Sequence, residues 1–298
     1  MLFDRQKRLL ALLDALGGEV GNLDFQKLLL LYCREVEATP TYEFVPYKYG
    51  GFSFTSYADK RRLVEQGLLT GEDRAWELTP AGRQTNTVAP VVRAGMEQFA
   101  RRHAALRGDA LVAEAYRRHP YYAIQSEMAE RVLATDSRAR DAILAARPMA
   151  GQPGACTIGY EGSSMEGYLN RLLRAGVTLL CDVRRNPLSR KYGFSKGTLS
   201  KGCAGVGLRY EHLPELGIAS EDRRELRTQE DYDALFAVYE REWLPKQTAA
   251  ISRIGGWVAE GHRVALTCYE ADPRQCHRLR VAEALEREFG AQLSPQHM

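Results

Sequence analysis

Residues 177–187, VTLLCDVRRNP, decide the fold. The apolar run is continuous, without polar alternation, and it ends in Asp182, Val183, Arg184 and Arg185. A strand that shows neither face to water reads this way, and such strands sit in parallel sheets covered on both sides. The segments before it agree. ACTIGYEG (155–162) is a shorter apolar run that ends in Gly159-Tyr160-Glu161-Gly162. Between the two, MEGYLNRLLRAG (165–176) has helical spacing and stops at Gly176. Strand, helix and strand with tight connections make a βαβ unit, which predicts parallel strands. Further along, LRYEHLPELG (208–217) offers a strand over 209–212, and residues 229–261 read as one or two helices. HRVALTCYE (262–270) is a third strongly apolar strand, and RQCHRLRVAEALEREFG (274–290) is the closing helix. The expected fold class for 151–298 is α/β, with a Rossmann-like parallel sheet.

In open parallel sheets, ligands bind outside the carboxyl ends of the strands. Three such ends carry polar residues: Tyr160-Glu161, Asp182-Arg184-Arg185 and Cys268-Glu270. Asp182 and Glu270 are candidate paired carboxylates for acid–base or nucleophilic work at a sugar carbon. The plainer reading of each is a strand-end acid paired with a neighbouring arginine. Arg184 and Arg190 are candidates for forked binding of phosphate or carboxylate. Arg190 and Ser189 lie in NPLSRKYGFSKGTL (186–199), a polar loop suited to wrapping a substrate. Arg185 and Lys191 read as solvated surface.

CYEADPRQCHR (268–278) packs two cysteines, two acids, two arginines and a histidine into a short span. It admits a metal site, a thiol nucleophile, an anion cradle or simple burial of the cysteines. Metal is disfavoured here. The gap between the cysteines is wide for paired thiolates, and Cys276 and His277 are neighbours that a helix would point about 100° apart. Pro273 and the start of the closing helix place Cys276 and His277 near free backbone amides, which favour anions. The preferred reading is a strand-end acid, Glu270, joined to an anion cradle, with His277 or Arg278 contacting the substrate.

The first half has a different pattern. RQKRLLALLDALGG (5–18) and NLDFQKLLLLYCREVE (22–37) read as helices, the second capped by Asn22 or Asp24. TYEFVPYKYGGFSF (41–54) is aromatic and β-prone, broken by Pro46 and Gly50-Gly51. TSYADKRRLVEQGLL (55–69) is a third helix, capped by Thr55 or Ser56. Leu68-Leu69 and Trp76-Glu77-Leu78 then form a hairpin around 71–73. Three helices and a hairpin are the order of a winged helix-turn-helix, so residues 1–85 are expected to form an α+β winged-helix domain. Its DNA contacts would be Lys60, Arg61 and Arg62 on the third helix and Arg74 in the wing. Residues 86–150 read as a helical extension or linker. The Pro- and Gly-rich RPMAGQPGAC (147–156) marks the boundary.

Charge decides little. The chain carries 41 basic and 38 acidic residues, split almost evenly between its halves, so any nucleic-acid affinity needs a local basic face. No run of about 18 apolar residues exists, and the N-terminus lacks an apolar signal core, so a membrane partner is not expected. Six scattered cysteines read as reduced thiols of a cytoplasmic protein. There is no Walker-type loop and no GxGxxG after a strand, so ATP and dinucleotide cofactors are not expected.

Four motifs in order carry a family resemblance: TIGYEG, DVRRNPLSR, YEHLPELG and CYEADPRQCHR. With them, residues 155–289 resemble the domain-of-unknown-function 488 family. The resemblance implies a site drawn from Tyr160, Asp182, Arg184, Pro187, Ser189, Arg190, Glu270, Cys276, His277 and Arg278. Likewise FQKLL followed by YEFVPYKYGGFSF resembles winged-helix regions. The functional expectation is an enzyme acting on a nucleotide or nucleic acid, DNA more than RNA, at an N-glycosidic bond. Glu270, Asp182, Tyr160 and His277 would be catalytic, and Arg184, Ser189, Arg190, Cys276 and Arg278 would hold a phosphorylated substrate. The alternatives are a non-catalytic DNA-binding regulator that senses a small anion, and a defence or stress-response interaction module.

Overall fold

The computed structural model describes residues 2–71, 73–85, 87–219, 221–223, 226–290 and 296–298. The chain divides into two compact units, Met1–Arg147 and Pro148–Met298.

The first unit contains α1 (Asp4–Ala15), β1 (Glu19–Gly21), α2 (Asn22–Glu35), β2 (Val45–Tyr47), β3 (Gly50–Phe52), α3 (Phe54–Glu65) and β4 (Ala75–Glu77). They are followed by α4 (Pro80–Thr85), α5 (Pro90–Arg102), α6 (Gly108–Arg118), α7 (Ala129–Val132) and α8 (Ser137–Ala145). Leu28, Leu29, Leu30 and Leu31 are all buried, so this turn of α2 is covered on every side and sits in the core. Phe25 packs on Trp76 with ring centroids 4.5 Å apart. Met96 and Phe99 of α5 and Leu111 and Ala115 of α6 join the same cluster. α5 and α6 thus help build this core, and α6 to α8 pack a second cluster around Tyr116, Leu133 and Ile143, so the expected linker is part of the first unit.

Several local expectations change. The cap of α2 is Gly21, because the Asn22 side chain is used elsewhere: its Nδ2 donates to the Asp73 carbonyl and its Oδ1 accepts from Lys60. The cap of α3 is Ser53, whose hydroxyl accepts from the Ser56 amide. Among the described residues the expected 68–78 hairpin pairs through the bridge of Leu69 with Leu78, with the Thr70 amide donating to the Glu77 carbonyl and the Thr79 amide to the Leu68 carbonyl, while β4 itself pairs with β1. The aromatic 41–54 segment makes its own hairpin, β2 with β3.

The second unit runs β5 (Gly154–Gly159), α9 (Met165–Arg174), β6 (Leu179–Asp182), α10 (Lys196–Gly205), β7 (Arg209–His212), α11 (Gln229–Val238), α12 (Thr248–Ala259), β8 (Arg263–Cys268), α13 (His277–Phe289) and β9 (Gln296–His297). All pairings are parallel, in the order β7-β6-β8-β5-β9. Every residue of β5 and β6 is buried, which accounts for their unbroken apolar runs. The chain leaves β5, passes over the place β8 will take, builds β6 and β7, and returns to insert β8 between β5 and β6. That reversal opens a crevice at the carboxyl ends of β5, β6 and β8. Two glycines let backbone close in around it. A Cβ on Gly159 would collide with the Glu270 carbonyl, and one on Gly217 with the Arg185 amide. Among the described residues no helix is long and apolar enough to cross a membrane.

Candidate functional site

A pocket of about 580 Å³ occupies that crevice. Tyr160 enters it from the end of β5, Arg184, Arg185, Asn186, Leu188, Ser189, Arg190 and Lys191 from the loop after β6, and Cys268, Tyr269 and Glu270 from the end of β8. Ile218, Arg223 and His277 complete the lining. Of the residues expected at the site, the pocket brings together Tyr160, Arg184, Ser189, Arg190, Glu270 and His277. Asp182, Pro187, Cys276 and Arg278 do not line it.

Asp182 has a different task. It is fully buried, and both of its oxygens are taken. Arg184 Nε donates to Oδ1 at 2.8 Å and Nη2 to Oδ2 at 2.5 Å, and the Tyr210 hydroxyl donates to Oδ2 at 2.7 Å. Arg184 Nη1 donates onward to the Tyr160 hydroxyl at 2.9 Å and the Phe194 carbonyl at 2.8 Å. Burial alone would lower the Arg184 pKa, but the paired Asp182 more than reverses this and raises it. Asp182 is thus the counterion of Arg184, and the pairing of Asp182 with Glu270 as two catalytic acids is corrected. Such an acid cannot serve a substrate without unpairing a buried guanidinium, which is strongly destabilising. The Tyr160 ring stacks on Phe194 at 4.3 Å, which fixes the wall of the pocket.

Arg278 is corrected likewise. It is buried behind the β8–α13 turn, where Nη1 donates to the Glu270 carbonyl at 2.6 Å and Nη2 to the Ala271 carbonyl at 3.0 Å. From the other side the Ala271 amide donates to Glu161 Oε2 at 3.0 Å. These contacts hold the turn that presents Glu270. The Glu270 carboxylate pairs with Arg223 through Oε1. Its Oε2 lies 3.3 Å from the Cys268 sulfur. Arg223 escaped sequence reasoning because it lies in a charged segment with no apolar pattern, and nothing local shows which acid it meets.

Cys268, Cys276 and His277 are all buried, and their ligand atoms lie within 4.8 Å of one another. The angular argument against this cluster does not hold. Cys276 is the N-cap of α13, with extended backbone (φ −139°, ψ 133°), so it and His277 are not successive positions of one helix. His277 Nδ1 is 3.8 Å from the Cys268 sulfur, and Nε2 is 2.9 Å from the Val183 carbonyl. The hydrogen bond from the Cys276 thiol, against the cost of burial and with help from His277 and Arg223, holds Cys268 well below the usual thiol range. Burial pushes Cys276 up instead. Cys276, away from the pocket, is no substrate-binding residue.

In the first unit, Lys60 is corrected as a DNA contact. It is 8% exposed, and Nζ donates to Asn22 Oδ1 at 3.1 Å and to the Ala75 carbonyl at 2.5 Å. It ties α3 to α2 and β4. Arg61, Arg62 and Arg74 are exposed.

A five-stranded parallel sheet with a polar pocket at its switch point defines an α/β domain with a candidate binding site. The family described as "Domain of unknown function DUF488" matches residues 164–285, and the α/β unit belongs to it. The matched stretch includes every pocket residue except Tyr160. The chain matches no curated protein and no solved structure.

Proposed function

We propose that the α/β unit is an enzyme that binds a phosphorylated substrate, a nucleotide or a nucleic-acid strand, and breaks or exchanges an N-glycosidic bond in it. One observation carries this reading: the pocket is lined by five cationic side chains, Arg184, Arg185, Arg190, Lys191 and Arg223, and one carboxylate, Glu270. Arg184 is neutralised by Asp182, and Arg223 pairs with Glu270. Arg190 is exposed and has no side-chain partner among the described residues, so it holds phosphate at little desolvation cost. Tyr269 is exposed beside Tyr160 and offers a face for a base. Glu270 stabilises the oxocarbenium-like sugar as the bond to the base lengthens. Arg223 pairs with that carboxylate and holds it at the pocket wall. In the first unit, the helix order, the β1–β4 pairing and exposed Arg61, Arg62 and Arg74 support a DNA-binding winged helix.

The test measures binding of labelled single- and double-stranded DNA and of nucleoside phosphates across a salt series. Arg190→Ala is expected to weaken binding about tenfold and to flatten the salt dependence. Glu270→Gln is expected to bind normally and to release no free base. Base release that persists in Glu270→Gln sinks the catalytic assignment, and unchanged affinity in Arg190→Ala sinks the phosphate assignment. Salt-dependent binding with no base release from the wild type moves the reading to an anion-sensing regulator.

A further inference from the structure

We infer that Cys268, Cys276 and His277 form a zinc site at the floor of the pocket, with its fourth position open toward the substrate. The inference rests on the cluster alone and does not depend on the identity of the substrate.

Three observations converge. The first is spacing. A tetrahedral zinc with bonds of about 2.3 Å to sulfur and 2.05 Å to nitrogen sets its ligand atoms about 3.6 Å apart. Cys268 Sγ and His277 Nδ1 stand at 3.8 Å, and no two of the three ligand atoms are more than 4.8 Å apart. The second is the imidazole. The Val183 carbonyl can only accept, so the nitrogen 2.9 Å from it, Nε2, carries the proton. In the neutral ring the Nδ1 lone pair then lies on the side of the sulfurs. A backbone carbonyl fixing the far ring nitrogen is the usual support of a metal-bound histidine. The third is the backbone. The turn Pro273–Gln275 and the extended Cys276 let two adjacent residues address one point, which a continuing helix forbids.

Two thiolates and one imidazole suit zinc over magnesium or calcium. They match the three-ligand pattern of sites that keep a position for water or substrate. Cys268 and His277 line the pocket with Glu270 and Cys276 does not, so the open position is assigned to the cavity side, beside Glu270. Bound there, the ion supplies an electrophile or an activated water at neutral pH.

Full-length protein purified without chelator or added metal is assayed for metal by mass spectrometry. About one zinc per chain is expected. Cys276→Ser and His277→Ala should each lower the content at least tenfold, whereas Arg190→Ala should leave it unchanged. Because the variants can misfold, the wild type is also stripped and titrated with Co²⁺. A saturable thiolate-to-cobalt charge-transfer band with intense tetrahedral visible bands is expected, and zinc should abolish it. Wild type that holds no stoichiometric zinc and gives no such band overturns the site. So does a Cys268–Cys276 disulfide in protein kept under reducing conditions. Zinc retained in full by folded His277→Ala would overturn the assignment as well. Loss of phosphate binding in Arg190→Ala with zinc retained separates the site from the substrate reading.

Discussion

Two of the buried cations, Arg184 in the second unit and Lys27 in the first, meet burial in opposite ways. Arg184 in the second unit is 5% exposed and meets a bidentate carboxylate, a tyrosine hydroxyl and a carbonyl. Lys27 in the first is 1% exposed and donates to one carbonyl, that of Gly51, at 3.2 Å. The guanidinium stays charged. Burial pushes the Lys27 amine down to about 7, against a weaker opposing pull from Asp24. A planar fork with a matched carboxylate can keep its charge out of water, whereas a compact ammonium without one gives up its proton. The neutral amine also fits its surroundings. It lines a cavity of about 490 Å³ with Tyr47, Phe52, Tyr57 and Leu23, where a fixed charge would be costly.

The largest effect should come from breaking the matched pair. Asp182→Ala leaves Arg184 buried without a counterion and should destabilise the second unit by about 3–5 kcal/mol in chemical denaturation. Replacing both partners, Asp182→Leu with Arg184→Met, should recover most of that loss. If the single variant loses less than about 1 kcal/mol, Arg184 is not the desolvated charge described here.

Lys27→Met should act in the other direction. Between about pH 7 and the ordinary lysine value of 10.5, the unfolded chain binds a proton that the folded chain does not. Stability therefore rises with pH across that window, by at most about 1.4 kcal/mol per unit, and the amine costs most at and below its folded pKa. Removing it should stabilise the first unit by about 2 kcal/mol at neutral pH, net of the lost bond to Gly51, and flatten the rise. Thermal unfolding of wild type and variant from about pH 6.5 to 9.5 reads both effects. A variant whose stability climbs with pH as the wild type's does would put the titration elsewhere.

The smallest effect refines the Arg184 side. Tyr210→Phe removes one of the donors on Asp182 and should cost about 1 kcal/mol. Tyr42→Phe, which removes a 3.0 Å donor from buried Asp59 in the first unit, gives the matching measurement. Asp59 keeps Arg5 and Gln6, and Asp182 keeps Arg184, so equal losses are expected. A much larger loss for Tyr210 would mean that it orients the carboxylate as well as bonding to it.

The parallel sheet was legible because burial on both faces leaves a local mark. VTLLC and RVALTC could be placed as strands, and their polar ends as the ligand edge, without knowledge of any neighbour. Glu270, Arg190, Ser189, Tyr160 and His277 followed from that edge and do line the pocket. Chain position alone could not show which polar groups at the edge would be spent on one another. Asp182 and Arg184 are two residues apart and bind each other, a pairing open to sequence. That Tyr210 and Phe194 complete it depends on the order of β7 and β6 and on the fold of the 186–195 loop. Lys60 looked like a surface cation on a basic helix, until the β1–β4 pairing brought Asn22 and the Ala75 carbonyl to it. The Cys276–His277 pair turned on a single backbone conformation at the start of α13. Sequence by itself determined the strands, the main helices and the edge where chemistry belongs, because apolar periodicity is a property of consecutive residues. Only the tertiary structure decided which charges are counterions and which face the pocket. A buried charge is settled by partners within a few ångströms, and some of them, such as Tyr210 for Asp182 and Asn22 for Lys60, come from segments tens of residues away.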